Sequence, residues 1–278
     1  MVDKTPNSRR NLDIAITRKF GQSGNPYDVR TLMANTIIGQ LLPDGAVKGG
    51  SSLKLRYGDK CTRFTTDLDA ARAGELDTYV ARLEVALEKG WNGFTGRVLP
   101  KEPAKPKSVP GEYIMLPFDI KLEYKNAAWL TVRFELGHDE VGDTDDPDYS
   151  ISSDIIDVFK QLGFPAPEPI ALMPIPHQIA QKLHAVSAAN SERAHDLIDL
   201  QLIIKHEDVD YAKTRDTCQR LFKSRKQQPW PPTIIKGENW AVLYNDQLRN
   251  LDVLKTVDEA VIWVNELILR INTGSSKG

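Results

Sequence analysis

Asp67 and Asp69 stand one residue apart in RFTTDLD, and a Gly49-Gly50-Ser51-Ser52 run precedes them. Side chains alternate along an extended strand, so two such carboxylates share one face, about 6–7 Å apart. That is close enough to hold one divalent ion together or to bracket two. Mg2+ takes hard oxygen ligands and commonly completes its shell with water and substrate phosphates. Glycines and serines supply what aspartates cannot, namely backbone N–H groups and hydroxyls that approach a triphosphate closely. Each element also has a plain reading: Asp-x-Asp as a solvated strand face, Gly-Gly-Ser as a tight turn into an edge strand. Further on, IAQKLHAVSAANSERAHDLIDL carries Lys182, Arg193, Asp196 and Asp199. Lys182 reads either as a surface lysine or as a compact point charge for a phosphate. His184 and His195 flank these groups without zinc-ligand spacing and read as structural or solvent-facing.

These residues need elements to place them. Residues 1–25 are polar and read as a helix or a loose arm; Val29, Leu32, Met33, Ile37 and Leu41 then recur at helical spacing and stop before Pro43-Asp44-Gly45. Thr65, Asp67 and Asp69 are expected on one face of a strand, with Phe64, Thr66 and Leu68 on the other. Leu76, Tyr79, Val80, Leu83 and Leu87 mark a helix over about 75–89. GFTGRVL, YIMLPFDIKLEY and WLTVRFELG read as strands, with a turn at Lys125-Asn126 and an exposed basic loop in KEPAKPKSVPGE. Residues 139–157 are rich in aspartate; they read as a solvated loop, or as a calcium loop that lacks the EF-hand glycine and glutamate. GFPAPEPIALMPIP reads as a linker, and helical patterns dominate beyond it. The expected fold is α/β (α+β), a mixed-sheet domain over 1–160 followed by a mainly helical domain over 161–278.

VKGGSSL followed by RFTTDLD resembles the signature of the polymerase-beta-type nucleotidyltransferases. More narrowly, the chain is similar to the AbiEii/AbiGii toxin family, which includes mycobacterial tRNA-modifying toxins. That family pairs this strand with a later helical lysine and an RDLxDL motif. Lys182 matches the lysine; Arg193, Asp196 and Asp199 match the motif, with Ala194-His195 interposed. The resemblance implies a polymerase-beta-like domain with Asp67, Asp69, Lys182 and Asp196 as catalytic residues. Gly49, Gly50, Ser51, Ser52, Arg63 and Lys182 would bind the nucleotide. Asp67 and Asp69 would hold Mg2+ (or Mn2+) with a third carboxylate, for which Glu135 is the candidate ahead of Glu123 and Asp119. Asp196 would orient Lys182 or bind substrate, while Asp199 would support helix packing. On this reading Lys182→Met abolishes transfer and leaves the fold intact. Thr65 corresponds to a regulatory phosphorylation site in some relatives; a phosphate there would add about −2 beside two carboxylates.

The implied reaction moves a nucleoside monophosphate from an NTP, with CTP or UTP favoured, to the tRNA 3′ end and blocks aminoacylation. The implied partner is a cognate antitoxin. Lys213, Arg215, Arg220, Lys223, Arg225 and Lys226 form the densest basic segment, with Trp230 beyond it. Arg220, Lys223 and Arg225 read either as tRNA phosphate contacts, with Trp230 stacking on a base, or as a solvated helix face. The alternatives are a small-molecule, aminoglycoside-type nucleotidyltransferase, which the acidic run would suit, and a catalytically silent binding module.

Composition limits these readings. The net charge of −2 over 278 residues gives no global attraction to polyanions, so a nucleic acid would need a local basic surface. Two distant cysteines, Cys61 and Cys218, no signal-peptide pattern and no long apolar run point to a cytoplasmic, membrane-free protein; a monomer is the expected state.

Overall fold

The computed structural model describes residues 4–22, 24–103, 115–248 and 250–274. Its contacts divide into two units. The first holds the chain to Leu172 apart from 60–64 and 140–143; the second holds those two segments and everything from Met173 onward.

The first unit opens with helices α1 (Arg9–Phe20) and α2 (Pro26–Leu41). Strand β1 (Gly45–Lys48) runs directly into helix α3 (Gly49–Tyr57), and β2 (Leu68–Arg72) returns antiparallel to β1. Helix α4 (Leu76–Lys89) leads to β3 (Phe94–Pro100), β4 (Leu116–Tyr124) and β5 (Ala127–His138). Then come β6 (Asp148–Ser150), α5 (Ser153–Gln161) and β7 (Ile170–Leu172). The strands form one mixed sheet in the order β3-β4-β5-β2-β1-β7-β6, with β2/β5 and β1/β7 parallel.

Alternation makes this sheet two-faced. Phe118, Ile120, Leu122 and Tyr124 of β4 are buried, as are Val132, Phe134 and Leu136 of β5. Tyr79, Leu83 and Leu87, one per turn of α4, are buried in the same core cluster. The intervening residues, among them Asp119, Lys121, Arg133 and Glu135, take the opposite face and keep solvent contact. Lys125 and Asn126 both have positive φ, at 50° and 62°, which suits the tight twist of a two-residue hairpin.

The second unit contains α6 (Ile175–Val186), α7 (His195–His206), α8 (Tyr211–Arg225), α9 (Trp240–Leu248) and α10 (Val257–Thr273). Helix α6 packs on both α7 and α8, and α10 closes over α7 and α8. A capping box fixes the start of α10, where Thr256 and Glu259 satisfy each other's backbone N–H groups. Among the described residues no helix is long and apolar enough to cross a membrane.

The mixed α/β class and the helical second half agree with the sequence reading, and four local expectations change. Gly-Gly-Ser is not a free turn; it forms the first turn of α3. Strand pairing begins only at Leu68, so Thr65 and Asp67 lie in the extended approach to β2 rather than on it. The proline-rich linker carries β7, and the units divide at Leu172/Met173, where the sequence suggested residue 160. The acidic run is not one solvated loop. Asp143 and Glu140 are buried, and the segment from Asp148 onward supplies β6 and α5. The basic loop over 104–112, with Tyr113 and Ile114, lies outside the described residues.

Candidate active site

In the first unit the candidate carboxylates gather at the junction of β1, α3 and β2. Lys48 is the register partner of Asp69 across β1/β2, and Glu135 is its partner across β2/β5. Lys48, Asp69 and Glu135 therefore form one row across three strands, with Asp67 just before the strand. Gly49 has φ +67°, and a Cβ there would overlap Asp69 Oδ2. The carboxylate thus lies against the backbone at the start of α3. Unpaired N–H groups and the positive end of the helix dipole favour negative charge there.

Ser51 does not face a ligand. It is buried, and its hydroxyl donates to the Asp67 carbonyl, tying the α3 turn to the approach of β2. Ser52 is fully buried beside it. A phosphate at this turn would therefore meet backbone N–H groups of Gly49 and Gly50 rather than the serine hydroxyls. Asp67 accepts from Thr66 Oγ1 at 3.1 Å, and Thr65 is half-buried just upstream. Of the alternatives to Glu135, Asp119 is bound by Lys101 at 3.2 Å, and Glu123 lies opposite Thr95 on the strand that carries the outer edge.

Among the described residues, no three His, Cys, Asp or Glu side chains gather closely enough to hold a metal ion alone. The donor chemistry nevertheless fits Mg2+, which needs only one or two protein carboxylates when phosphates and water supply the rest. Asp67 and Asp69 are half-exposed hard-oxygen donors beside a helix N-terminus. The sequence reading passed over Lys48, although it directly precedes Gly-Gly-Ser. A Cβ on Gly137, the next same-face position after Glu135, would stand 2.9 Å from Lys48 Nζ. The ammonium is therefore held over the sheet face beside the carboxylate row.

The second unit holds a buried ionic chain. Lys182 Nζ donates to Asp196 at 2.9 Å and to Asp199 at 2.6 Å. Arg63 Nε donates to Asp199 at 2.9 Å, and Arg193 Nε to Asp196 at 2.8 Å. The spacing explains the meeting: α6 carries Lys182, while Asp196 and Asp199 occupy adjacent positions on the first turns of α7. Burial alone would raise both carboxylic acids, but the cations more than offset it and hold both well below the usual carboxylate range. For Asp196 the leading cation is Lys182, and for Asp199 it is Arg63. Burial likewise opposes the charge on Arg63, and Asp199 overcomes it, raising the guanidinium. Lys182 is thus no surface lysine, Asp199 does more than pack α7, and Arg63 is committed to Asp199.

His184 and His195 are neutral parts of this unit. Burial, with opposition from Asp196, lowers His195 to about 4. Burial and then Arg225 lower His184 to about 4, against Glu140. Arg225 also corrects the reading of the basic segment. It grips Glu140 at 3.0 and 2.5 Å and donates to His184 Nδ1 at 3.1 Å, so it belongs to the interior and not to an RNA surface. Arg220 donates to the Val141 carbonyl, while Lys213 and Lys223 stay exposed. Trp230 packs edge-on against Phe222 and donates to Asn272, which fixes the orientation of its half-buried ring. Gln181 bonds both Glu140 and Asp143. These two acids of the run are therefore internally satisfied and do not contribute to a polycation pocket.

Comparison with known proteins gives the fold and the family. The solved structure of MenT4, a nucleotidyltransferase toxin from Mycobacterium tuberculosis, aligns at 14% identity and a TM-score of 0.52. The alignment covers 94% of this chain and 98% of that one and shows a shared fold. A candidate nucleotidyltransferase from H. pylori aligns at 15% identity, TM-score 0.44, covering 89% and 94% of the two chains. JHP933 from Helicobacter pylori aligns at 16% identity, TM-score 0.41, covering 87% and 89%. Among curated proteins no sequence matches. The profile described as "Nucleotidyl transferase AbiEii toxin, Type IV TA system" matches residues 31–262, which include the Gly-Gly-Ser turn, both aspartates and the Lys182–Asp196 pair. The chain belongs to the AbiEii nucleotidyltransferase toxin family of type IV toxin–antitoxin systems, and it is a nucleotidyltransferase.

Proposed function

We propose that this nucleotidyltransferase uses Mg2+ and a nucleoside triphosphate, CTP or UTP by preference, to extend the 3′ end of tRNA. The terminal ribose hydroxyl oxygen bonds to the α-phosphorus as the bond to pyrophosphate breaks, and the hydroxyl proton passes to water. One observation carries the reading: the Asp69 carboxylate lies against Gly49 at the start of α3, in one row with Lys48 and Glu135. This supports a site in which acceptors for a hard cation stand beside N–H donors for phosphate. Asp67 and Asp69, with Glu135, would hold the cation, which supplies charge neutralisation when bound. Lys48 and the Gly49-Gly50 amides would face phosphate oxygens. The tRNA acceptor and pyrimidine preference follow the family resemblance, as does the assignment of Lys182 to the triphosphate. The Lys182–Asp196 bond supports a positioning role for Asp196. A cognate antitoxin is implied by the family.

The test incubates the purified chain with total RNA, Mg2+ and each labelled NTP in turn. Label is expected in tRNA-sized species at the 3′ end, strongest with CTP or UTP. It should vanish in excess EDTA and in Asp67→Ala. Unlabelled RNA with all four nucleotides would overturn the acceptor assignment, and full activity in EDTA would overturn the metal assignment.

A further inference from the structure

We infer that the solvent face of the outer sheet, carrying Arg97, Lys121 and Arg133, binds the phosphates of the RNA acceptor; this rests on the RNA-extension reading. Register puts these cations together. Arg97 pairs with Lys121 across β3/β4, and Lys121 with Thr131 across β4/β5. Arg133 follows Thr131 by two residues on the same face of β5, and Glu135 follows Arg133 by two more. Each such step is about 7 Å. Arg133 is therefore one such step from Glu135, while Lys121 and Arg97 lie two steps along the strands from it and one and two strands across.

Their chemistry suits a polyanion. Arg97 and Arg133 are exposed, and Lys121 is half-exposed. Asp119, the cross-strand partner of Arg133, is already bound by Lys101 at 3.2 Å. On this face Arg97, Lys121 and Arg133 stand beside Glu123 and Glu135, so the three cations form a local basic strip next to the carboxylates in a chain whose overall charge is −2. A small cavity lined by Asp67, Arg133, Tyr27 and Thr31 continues the surface toward the carboxylates. An RNA end aimed at those carboxylates has a cationic track leading to it, whereas α8 has lost Arg225 to the interior.

The experiment measures binding of labelled tRNA to the full chain over a salt series, in wild type, in R97Q/K121Q/R133Q and in K213Q/K223Q on α8. Glutamine at exposed strand positions keeps the fold, which thermal melts verify. The sheet variant should bind roughly tenfold more weakly at 0.1 M salt, with its log K against log salt slope smaller by about 2 to 3. The α8 variant should keep the wild-type slope. A wild-type slope in the sheet variant would overturn the inference, even if the enzyme still extends RNA. If that variant keeps its RNA slope but escapes neutralisation by the antitoxin, the face belongs to a protein partner, and the inference again falls. A reduced slope without nucleotide transfer in wild type would leave the surface standing and remove the RNA-extension reading instead.

Discussion

At Gly49 the site has no room for a side chain. A methyl group there would overlap Asp69 Oδ2, and φ +67° disfavours any L side chain. Gly49→Ala should therefore displace the Asp69 carboxylate and cost about 1 kcal/mol or more in backbone strain. The expected outcome is nucleotide transfer down by at least about tenfold with a small fall in Tm; unchanged kcat would show that Asp69 does not need this contact. Lys182 behaves differently from a lysine that only meets a substrate. Two buried carboxylates share its ammonium, so Lys182→Met leaves both short of a cation. Removing one member of a buried pair costs roughly 3–5 kcal/mol, and the fold-sparing outcome expected from sequence gives way to a destabilised helical unit. Lys182→Met with Asp199→Asn should recover part of that stability while transfer stays low. If the double variant regains wild-type turnover, Lys182 is structural and its assignment to the triphosphate falls.

Elements with strong periodicity were legible in the sequence, and those made from small or polar residues were not. The α4 stripe and the alternation of β4 and β5 are visible because burial follows the geometric period of one element. Helix α3 begins Gly-Gly-Ser-Ser, residues of low helix propensity, and is held by tertiary contacts such as Ser51 to Asp67. Strands β1, β6 and β7 have three or four residues, too few to establish alternation. The row of Asp69 with Glu135 was half legible. The acid on a neighbouring strand was expected, but register with Lys48 needs the sheet order. Helix α8 shows the limit most clearly. Its basic run looks uniform, yet Arg225 turns inward because Glu140, distant in sequence, is buried with it. Arg225→Gln should therefore destabilise the helical unit by about 3 kcal/mol, measured by urea titration, with the salt dependence of RNA binding unchanged. A variant with normal stability and a shallower salt slope would return Arg225 to the RNA surface.

For the molecule as a whole, the buried ionic groups of the second unit couple folding to pH. His184 and His195 have folded values of about 4 against an ordinary 6.5. Arg225 donates to His184 Nδ1, so that nitrogen is the acceptor and Nε2 carries the proton of the neutral ring. A second proton would have to break this bond and sit beside a guanidinium. Asp196, Arg63 and Arg193 surround His195, and burial outweighs the favourable carboxylate. The unfolded chain therefore takes up protons that the folded one refuses, and stability falls as pH drops from about 6.5 toward 4. Asp196 and Asp199, held below their ordinary 3.8, add a further loss below that value. Each histidine should cost about 2 kcal/mol by pH 5, since each tenfold change in proton affinity is worth about 1.4 kcal/mol. Urea midpoints should then fall steadily between pH 7 and pH 5, followed by helical circular dichroism, to which both units contribute. His184→Gln keeps an acceptor for Arg225 without a titrating ring, so it should flatten part of the slope. A midpoint that stays level across this range in wild type would mean that both rings protonate in place without penalty, and that the packing around Arg225 and Asp196 yields to the added charge.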